Sequence, residues 1–535
     1  MAQATGGIAV GSGLYLRKAT GLVREVNRWD AVVLNLFFIN IPLGVLLITQ
    51  APVIWPGVDM VLGMVLTTVI LIAPISMYAF MASAMPRAGG DYVYVSRIIH
   101  PAVGFIINLA LTVVGILFSA VFAAWMSIVG LSPILATLGT VLNNSQLTSL
   151  SAQLSTQPWE FGIGVVTILL CGALNLFGWR VVIPTMRVMI AIVLAALVVV
   201  IVLMLGTDSS AFAKVFAKYG SYSGVITAAQ QHGFAVGATS DAGKILAFIA
   251  LGFTVVGLAT LPAYTAGEVK TPSRSLVVSM VGGLIIAGAL VALMAGLAYR
   301  TFGPDFLGGM TYLSANDPKD YPNLPPPFFF LYASMLTGNI VLLLLIGIGF
   351  ILAIFAGMFV IWLQATRNFL AYSLDRVLPD WLADVSPRFH TPVRINVLVT
   401  VITLVILVVY VYGPTNLFGF VYSAALLQAI VFSVTAIAAI LFPYRARDLF
   451  ESSPYSQRIA GIPIITILGV VSLVEYLYFA YVLGTNSAIG ANVASGLISI
   501  AVIFILPIPI YVISYLVQRS RGVNIMLALK ELPPE

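Results

Sequence analysis

The sequence predicts an all-α polytopic membrane protein: twelve transmembrane helices, built as a five-plus-five inverted repeat with broken helices 1 and 6, and two extra helices at the C-terminus. Three observations carry this. Of the 535 residues, 60% are hydrophobic and 8% charged, with mean hydropathy +1.07, a composition that no soluble domain of this size needs. Apolar windows long enough to span a bilayer, roughly 17 to 25 residues each, recur along the whole chain. Two of them, the first and the sixth, are interrupted midway by Gly and Pro.

The windows lie near 30–50, 60–84, 101–129, 160–177, 184–206, 245–267, 276–299, 337–362, 393–412, 416–443, 463–484 and 494–518. An even count puts both termini on one side. Starting from the N-terminal tail, alternate connections hold 20 of the 25 Lys and Arg residues, among them Arg17, Arg87, Lys270, Arg376 and Arg521. The other set holds Lys214, Lys218, Lys244, Arg300 and Lys319. The positive-inside rule places the first set, and both termini, in the cytoplasm of a cell whose plasma membrane the chain crosses many times. The expected layout is a cytosolic segment 1–29, a first repeat 30–206, an external loop 207–244, a second repeat 245–443, a pair of spans 463–518, and a cytosolic tail 519–535. Five spans is an odd number, so the two units enter the membrane from opposite sides, the arithmetic of an inverted repeat. No letter-by-letter identity links the halves.

The net charge of +6 follows from this topology and implies no nucleic acid partner; the lipid bilayer is the partner that composition demands. One cysteine, Cys171, excludes an internal disulfide framework. Three scattered histidines offer no metal-ligand spacing, and no cofactor is expected. The first 29 residues lack the apolar stretch and cleavage site of a removable signal. Residues 142–159, rich in Ser, Gln and Asn, and 301–327, rich in Pro, read as irregular external loops. Residues 328–335 read as an external half-helix, with the next crossing starting near Thr337.

The breaks are where function is expected. In span 6, Gly257 and Pro262 flank Leu258-Ala259-Thr260-Leu261; in span 1, Asn40-Ile41-Pro42-Leu43-Gly44 punctuates an apolar run. Proline removes a backbone donor and clashes one turn back, freeing polar backbone at membrane depth. Such groups cost several kcal/mol each in hydrocarbon, so a broken helix is tolerated where it lines a cavity. An ordinary kink would explain either break alone. Two at matching places point to a secondary transporter with its substrate near the midplane.

Three stretches carry a resemblance. Pro86-Arg87-Ala88-Gly89-Gly90-Asp91-Tyr92-Val93-Tyr94-Val95, continuing to Gly104, follows span 2; Gly267-Glu268-Val269-Lys270-Thr271-Pro272-Ser273-Arg274-Ser275 follows span 6. Thr366-Arg367-Asn368, Asp375-Arg376-Val377-Leu378-Pro379 and Phe389-His390-Thr391-Pro392 lie between spans 8 and 9. In type and order they resemble the signatures of the amino acid-polyamine-organocation permease superfamily, over about residues 20 to 520. The resemblance implies the five-plus-five fold and transport of amino acids or related amines by alternating access, with the substrate's charged ends on unwound backbone at Asn40 to Gly44 and Gly257 to Thr260. The glycine-rich triplet common in span 1 of such proteins is replaced here by Ile41-Pro42-Leu43-Gly44. Glu268 and its neighbours read either as a charged interface anchor or as a hinge lock on the Arg87 or Arg97 loop.

Side-chain selectivity is expected from Gly115 and Ser119 in span 3, Leu258 and Thr260 in span 6, and Phe418 and Tyr422 in span 10. With no ionisable residue in the middle of these spans, the expected substrate is a neutral amino acid, apolar or small. A sodium site would want hydroxyls in span 8, where Ser and Thr are absent between Thr337 and Thr366, and span 5 has no lysine near Val193. Glu475 in span 11 is a carboxylate at membrane depth, read as a proton-linked residue or as a helix-packing or dimer contact; a monomer or a homodimer fits either way.

Other readings make distinct demands. A facilitator of two parallel six-span halves would show a Gly-x-x-x-Asp-Arg-like loop where this chain has PRAGGDY. An enzyme would need clustered acid, base or metal groups, and Gly237-Ala238-Thr239-Ser240-Asp241-Ala242-Gly243-Lys244-Ile245 has one residue too many for a phosphate loop and ends in Ile. A polyamine or organic-amine exchanger and a channel remain alternatives to the amino acid carrier.

Overall fold

The computed structural model describes residues 24–322, 324–386, 388–413, 417–487, 489 and 491–522, without the side chains of 417–422. The expected cytosolic segment up to residue 23, most of the tail, and the selectivity candidates Phe418 and Tyr422 lie outside what is described.

Eleven helices among the described residues are long and apolar enough to cross a membrane. The first is in two pieces, α1 (Arg28–Ile39) and α2 (Ile41–Ile48). After it come α3 (Met60–Ala84), a short α4 (Asp91–Ile98), α5 (Pro101–Val141), α6 (Gln157–Leu176) and α7 (Trp179–Leu205). The sixth window yields α8 (Ala242–Val256) and, past a break, α9 (Leu261–Tyr264). The fifteen residues of α8 extend about 22 Å at ~1.5 Å per residue, short of a bilayer core of about 30 Å. The remaining helices are α10 (Pro272–Phe302), α11 (Pro304–Asn316), α12 (Phe329–Met335), α13 (Ile340–Leu374), α14 (Val393–Tyr412), α15 (Leu417–Arg445), α16 (Ile464–Thr485) and α17 (Ala494–Ser520). The one described sheet is a two-residue antiparallel pair, Arg458–Ile459 with Ile462–Pro463.

Two loops expected to be irregular are partly helical. Ser145–Leu154 forms a helix because Asn144 turns its side-chain oxygen onto the free amides of Gln146 and Leu147, 2.9 and 3.3 Å away. In 301–327, Pro304 at the first turn starts α11 where its missing N–H costs nothing.

The helices pack in a recurring pattern: α3 lies on α10, α5 on α13, and α6 on α14, while α15 lies along α16. Outward faces stay apolar, with Val166, Leu170, Val198, Val202, Val405, Val409 and Ile513 exposed. Such faces suit hydrocarbon as solvent and leave the interior for polar groups such as Asn35, Asn108, Gln364 and Asn368, all buried.

Candidate functional site

The first break is the work of one residue. Asn40 adopts the left-handed conformation (φ 57°, ψ 75°), which asparagine tolerates better than most side chains. Its N–H closes α1 on the Leu36 carbonyl at 2.8 Å, and its side-chain oxygen accepts the Leu43 N–H to open α2. Its Nδ2 donates to the Ala353 carbonyl on α13 at 2.7 Å, anchoring the break to the neighbouring span. The expected break over Asn40 to Gly44 therefore shrinks: Gly44 already donates to the Asn40 carbonyl at 2.8 Å. Pro42 sits in the first turn of α2, where proline is accommodated without a kink. Proline has no N–H for the Phe38 carbonyl, and Leu43 spends its N–H on Asn40. The carbonyls of Phe38 and Ile39 thus lose their donors one turn ahead.

The second break follows α8. The Gly257 N–H still reaches the Phe253 carbonyl at 2.9 Å, but that of Ala259 turns to Val256 (3.3 Å) and that of Thr260 to Leu258 (2.6 Å). The carbonyl of Val255 is left without its helical donor.

The two breaks face one cavity. It encloses about 930 Å³ of atom-free space, mouth included, between α1, α2, α5, α8, α13 and α15. Of the sequence-predicted residues, Asn40, Leu43, Gly44, Gly115, Leu258 and Thr260 line it. Ile41, Pro42, Ser119, Gly257 and Ala259 do not. Pro42 faces a different apolar pocket, with Val45 and Val193. Ser119 is buried with its hydroxyl on the Gly115 carbonyl, 3.1 Å away. A Cβ on Gly257 would meet the Phe253 ring and carbonyl at 2.5 Å, so that glycine answers to its own helix rather than to the cavity. Glu475 is half-buried on α16 and away from the lining.

Sequence reasoning missed Thr254, Tyr264, Gln364, Gln428, Phe122, Trp125 and Phe432, which also line the cavity. The signal for two of them was present: Gln364 and Gln428 are amides within long apolar spans, and such residues face the protein interior. No Asp, Glu, Lys, Arg or His is among the described lining residues.

One end of the cavity is closed by buried polar contacts. Val26 accepts from Lys270 and donates to the Glu268 carbonyl, at 3.0 and 3.1 Å. Gly89 donates to the Tyr264 carbonyl at 3.2 Å. The side chain of Glu268, a fully buried residue, takes two bonds from Arg367 (2.8 and 2.9 Å) and one from the Trp179 indole (2.6 Å). Glu268 is thus neither a surface anchor nor a partner of Arg87 or Arg97. Arg97 pairs instead with Asp375 at 2.7 Å, both nearly fully buried.

The segments that close this end are the three stretches singled out in the sequence, and residues 33–514 match the family model described as amino acid permease. The chain belongs to that family. It is a multi-span membrane permease of the amino acid-polyamine-organocation superfamily. No curated protein matches the chain. As a family member the permease is a transporter of amino acids or related organic compounds.

Away from the cavity, the permease brings His232 within 2.9 Å of Asp320 and 3.1 Å of Asp317. This grouping has the donor types of a metal site and was invisible in sequence because His232 lies over eighty residues from Asp317 and Asp320.

Proposed function

We propose that the permease is a secondary transporter carrying a neutral, small or apolar amino acid across the plasma membrane by alternating access, with both termini in the cytoplasm. The observation that carries this is a cavity shared by two helix breaks and, among the described residues, lined by no acidic or basic side chain. A zwitterion needs an acceptor for its ammonium and a donor for its carboxylate. The carbonyls of Phe38, Ile39 and Val255 supply the first, and the helix dipole at the N-terminal end of α2, rather than a free Leu43 N–H, favours the second. The side chain then meets Leu43, Gly115, Phe122, Leu258 and Phe432, with the Gln364 and Gln428 amides also on the lining.

The α8–α9 pair counts as the twelfth crossing, broken like α1–α2. Span n then packs on span n+5 in three cases, α3 on α10, α5 on α13 and α6 on α14, as two units related by an axis in the membrane plane would. A polyamine would leave two or more ammonium groups in a cavity without a carboxylate, at a cost that disfavours it.

Counterflow in liposomes with a panel of twenty amino acids, with and without sodium and a pH gradient, tests the reading. Saturable counterflow of neutral amino acids is expected. Flux that does not saturate would indicate a channel, and counterflow restricted to amines without a carboxylate would overturn the substrate class.

A further inference from the structure

Below the cavity floor lies a carboxylate that the substrate site does not use. Asp91 opens α4 and is 0% exposed. Its Oδ2 accepts from the Tyr264 hydroxyl at 2.7 Å, and Tyr264 itself lines the cavity, four residues past Thr260. Its Oδ1 is buried and makes no well-formed hydrogen bond, the Tyr78 hydroxyl and the Asn108 amide lying beside the carboxylate. Buried carboxylates elsewhere in the molecule have cations: Glu268 has Arg367 and Asp375 has Arg97. Among the described residues Asp91 has none. The described titratable groups facing it are phenols only: Tyr78 from α3, Tyr94 from its own helix, Tyr264 from α9, Tyr372 from α13 and Tyr476 from α16, with the Asn108 amide from α5.

The backbone fixes this arrangement. Gly89 and Gly90 have φ of 109° and 50°, and a Cβ on Gly90 would meet the Tyr264 ring at 2.5 Å. The loop before α4 is therefore pressed against the segment that follows the second break.

We infer that Asp91 is a proton-binding site coupled to transport: it takes a proton by way of Tyr264 while this end of the cavity is closed, and releases it to the cytosol when the end opens. This rests on the amino acid carrier reading above. The transfer balances as a relay. A proton reaching the Tyr264 oxygen from the cavity is matched by one passed from the same hydroxyl to Asp91 Oδ2, leaving a neutral phenol and a neutral acid.

The energetics follow from burial. An ionised carboxylate without a cation is poorly tolerated away from water, and burial pushes the Asp91 carboxyl up to about 6, the Tyr264 hydrogen bond holding it down in part. Once water reaches it, an ordinary aspartate value of about 3.9 applies. The closed state then binds the proton about a hundredfold more tightly than the open state, two pH units being two factors of ten. The sign is that the raised value favours the protonated, closed form as pH falls through 6, whereas ionisation at higher pH favours opening. One proton released inside per opening would drive uptake along an inward proton gradient.

The test uses the full-length protein in liposomes. The wild type is expected to accumulate substrate under an inward pH gradient, with uptake rising as external pH falls through about 6. Asp91→Asn should lose gradient-driven accumulation at least tenfold and flatten the pH profile, while keeping counterflow within about twofold. Glu475→Gln should retain both. Should Asp91→Asn not insert, Tyr264→Phe, which removes the hydroxyl through which the proton passes, should lose gradient-driven accumulation at least tenfold. Accumulation that survives in Asp91→Asn or in Tyr264→Phe overturns the inference. Wild-type counterflow without proton-driven accumulation overturns it alone; wild-type protein without any amino acid counterflow overturns the carrier reading with it.

Discussion

Glu268→Gln is a direct perturbation of the closed end. The glutamate carboxylate accepts three bonds, two from the Arg367 guanidinium and one from the Trp179 indole. The side chains of Arg367 and Glu268 are 4% and 1% exposed, so neither charge has water to fall back on. Glutamine keeps the shape but offers one oxygen and turns an NH₂ toward donors, stranding the guanidinium. Removing one member of a buried pair costs about 3–5 kcal/mol. Taking the lower value, because the remaining carbonyl still accepts a bond, the closed arrangement loses about 3 kcal/mol, roughly a hundredfold in its population.

A reporter cysteine at Leu258, which lines the cavity, reads this out. The native Cys171 is fully buried and stays silent. In inside-out vesicles, a charged thiol reagent should label the reporter up to about a hundredfold faster in Glu268→Gln than in its parent, as the closed population falls. Adding Arg367→Met removes the stranded charge, and an apolar pair is often as stable as the ion pair it replaces. The double variant should therefore label at nearly the parental rate, the two losses not adding because the residues share one interaction. Unchanged labelling in Glu268→Gln, or a double variant as fast as the single one, would refute this account of the seal.

Two further substitutions test the cavity. Gly44→Leu should abolish binding while the protein still inserts, because Gly44 lines the cavity and its Cβ would lie 2.5 Å from Val255 Cγ1 on the other broken helix; wild-type affinity in a scintillation-proximity assay would contradict it. Gln364→Leu should weaken binding about tenfold through loss of one polar contact of about 1–1.5 kcal/mol, and unchanged affinity by isothermal calorimetry would remove Gln364 from the site.

What could be read in sequence was governed by length scale. Apolar runs and Gly/Pro interruptions are local, so the spans and both breaks were legible. The agent of the first break was not: Pro42 carries the familiar signal, yet Asn40 makes the turn, because its side chain caps both half-helices and reaches Ala353 on α13. Gly257 was legible as a helix end but not as a residue outside the cavity, since its neighbour Phe253 lies on the same helix. Residues 142–159 lacked apolar periodicity, and their helix rests on the Asn144 cap. Partners set by long-range packing, such as Arg367 for Glu268 and Tyr264 for Asp91, could not be read from local patterns.

The segment from Leu258 to Glu268 joins these observations mechanically. Within eleven consecutive residues it supplies cavity wall (Leu258, Thr260, Tyr264), the donor to Asp91, the bridge from Thr265 to Ala88 and the glutamate of the buried ion pair. Its helical elements are only four and three residues long, so little internal hydrogen bonding holds it in one form, and its outer contacts define its position. A ligand that draws Leu258 or Thr260 toward α2 by even a fraction of an ångström must load bonds of 2.6 to 2.9 Å at Glu268, because packed interiors switch between arrangements rather than stretch. On the proposed carrier reading, substrate contact and opening of the closed end are two readings of one displacement. That is the physical basis for expecting the carrier to open with its substrate bound and to leak little without it.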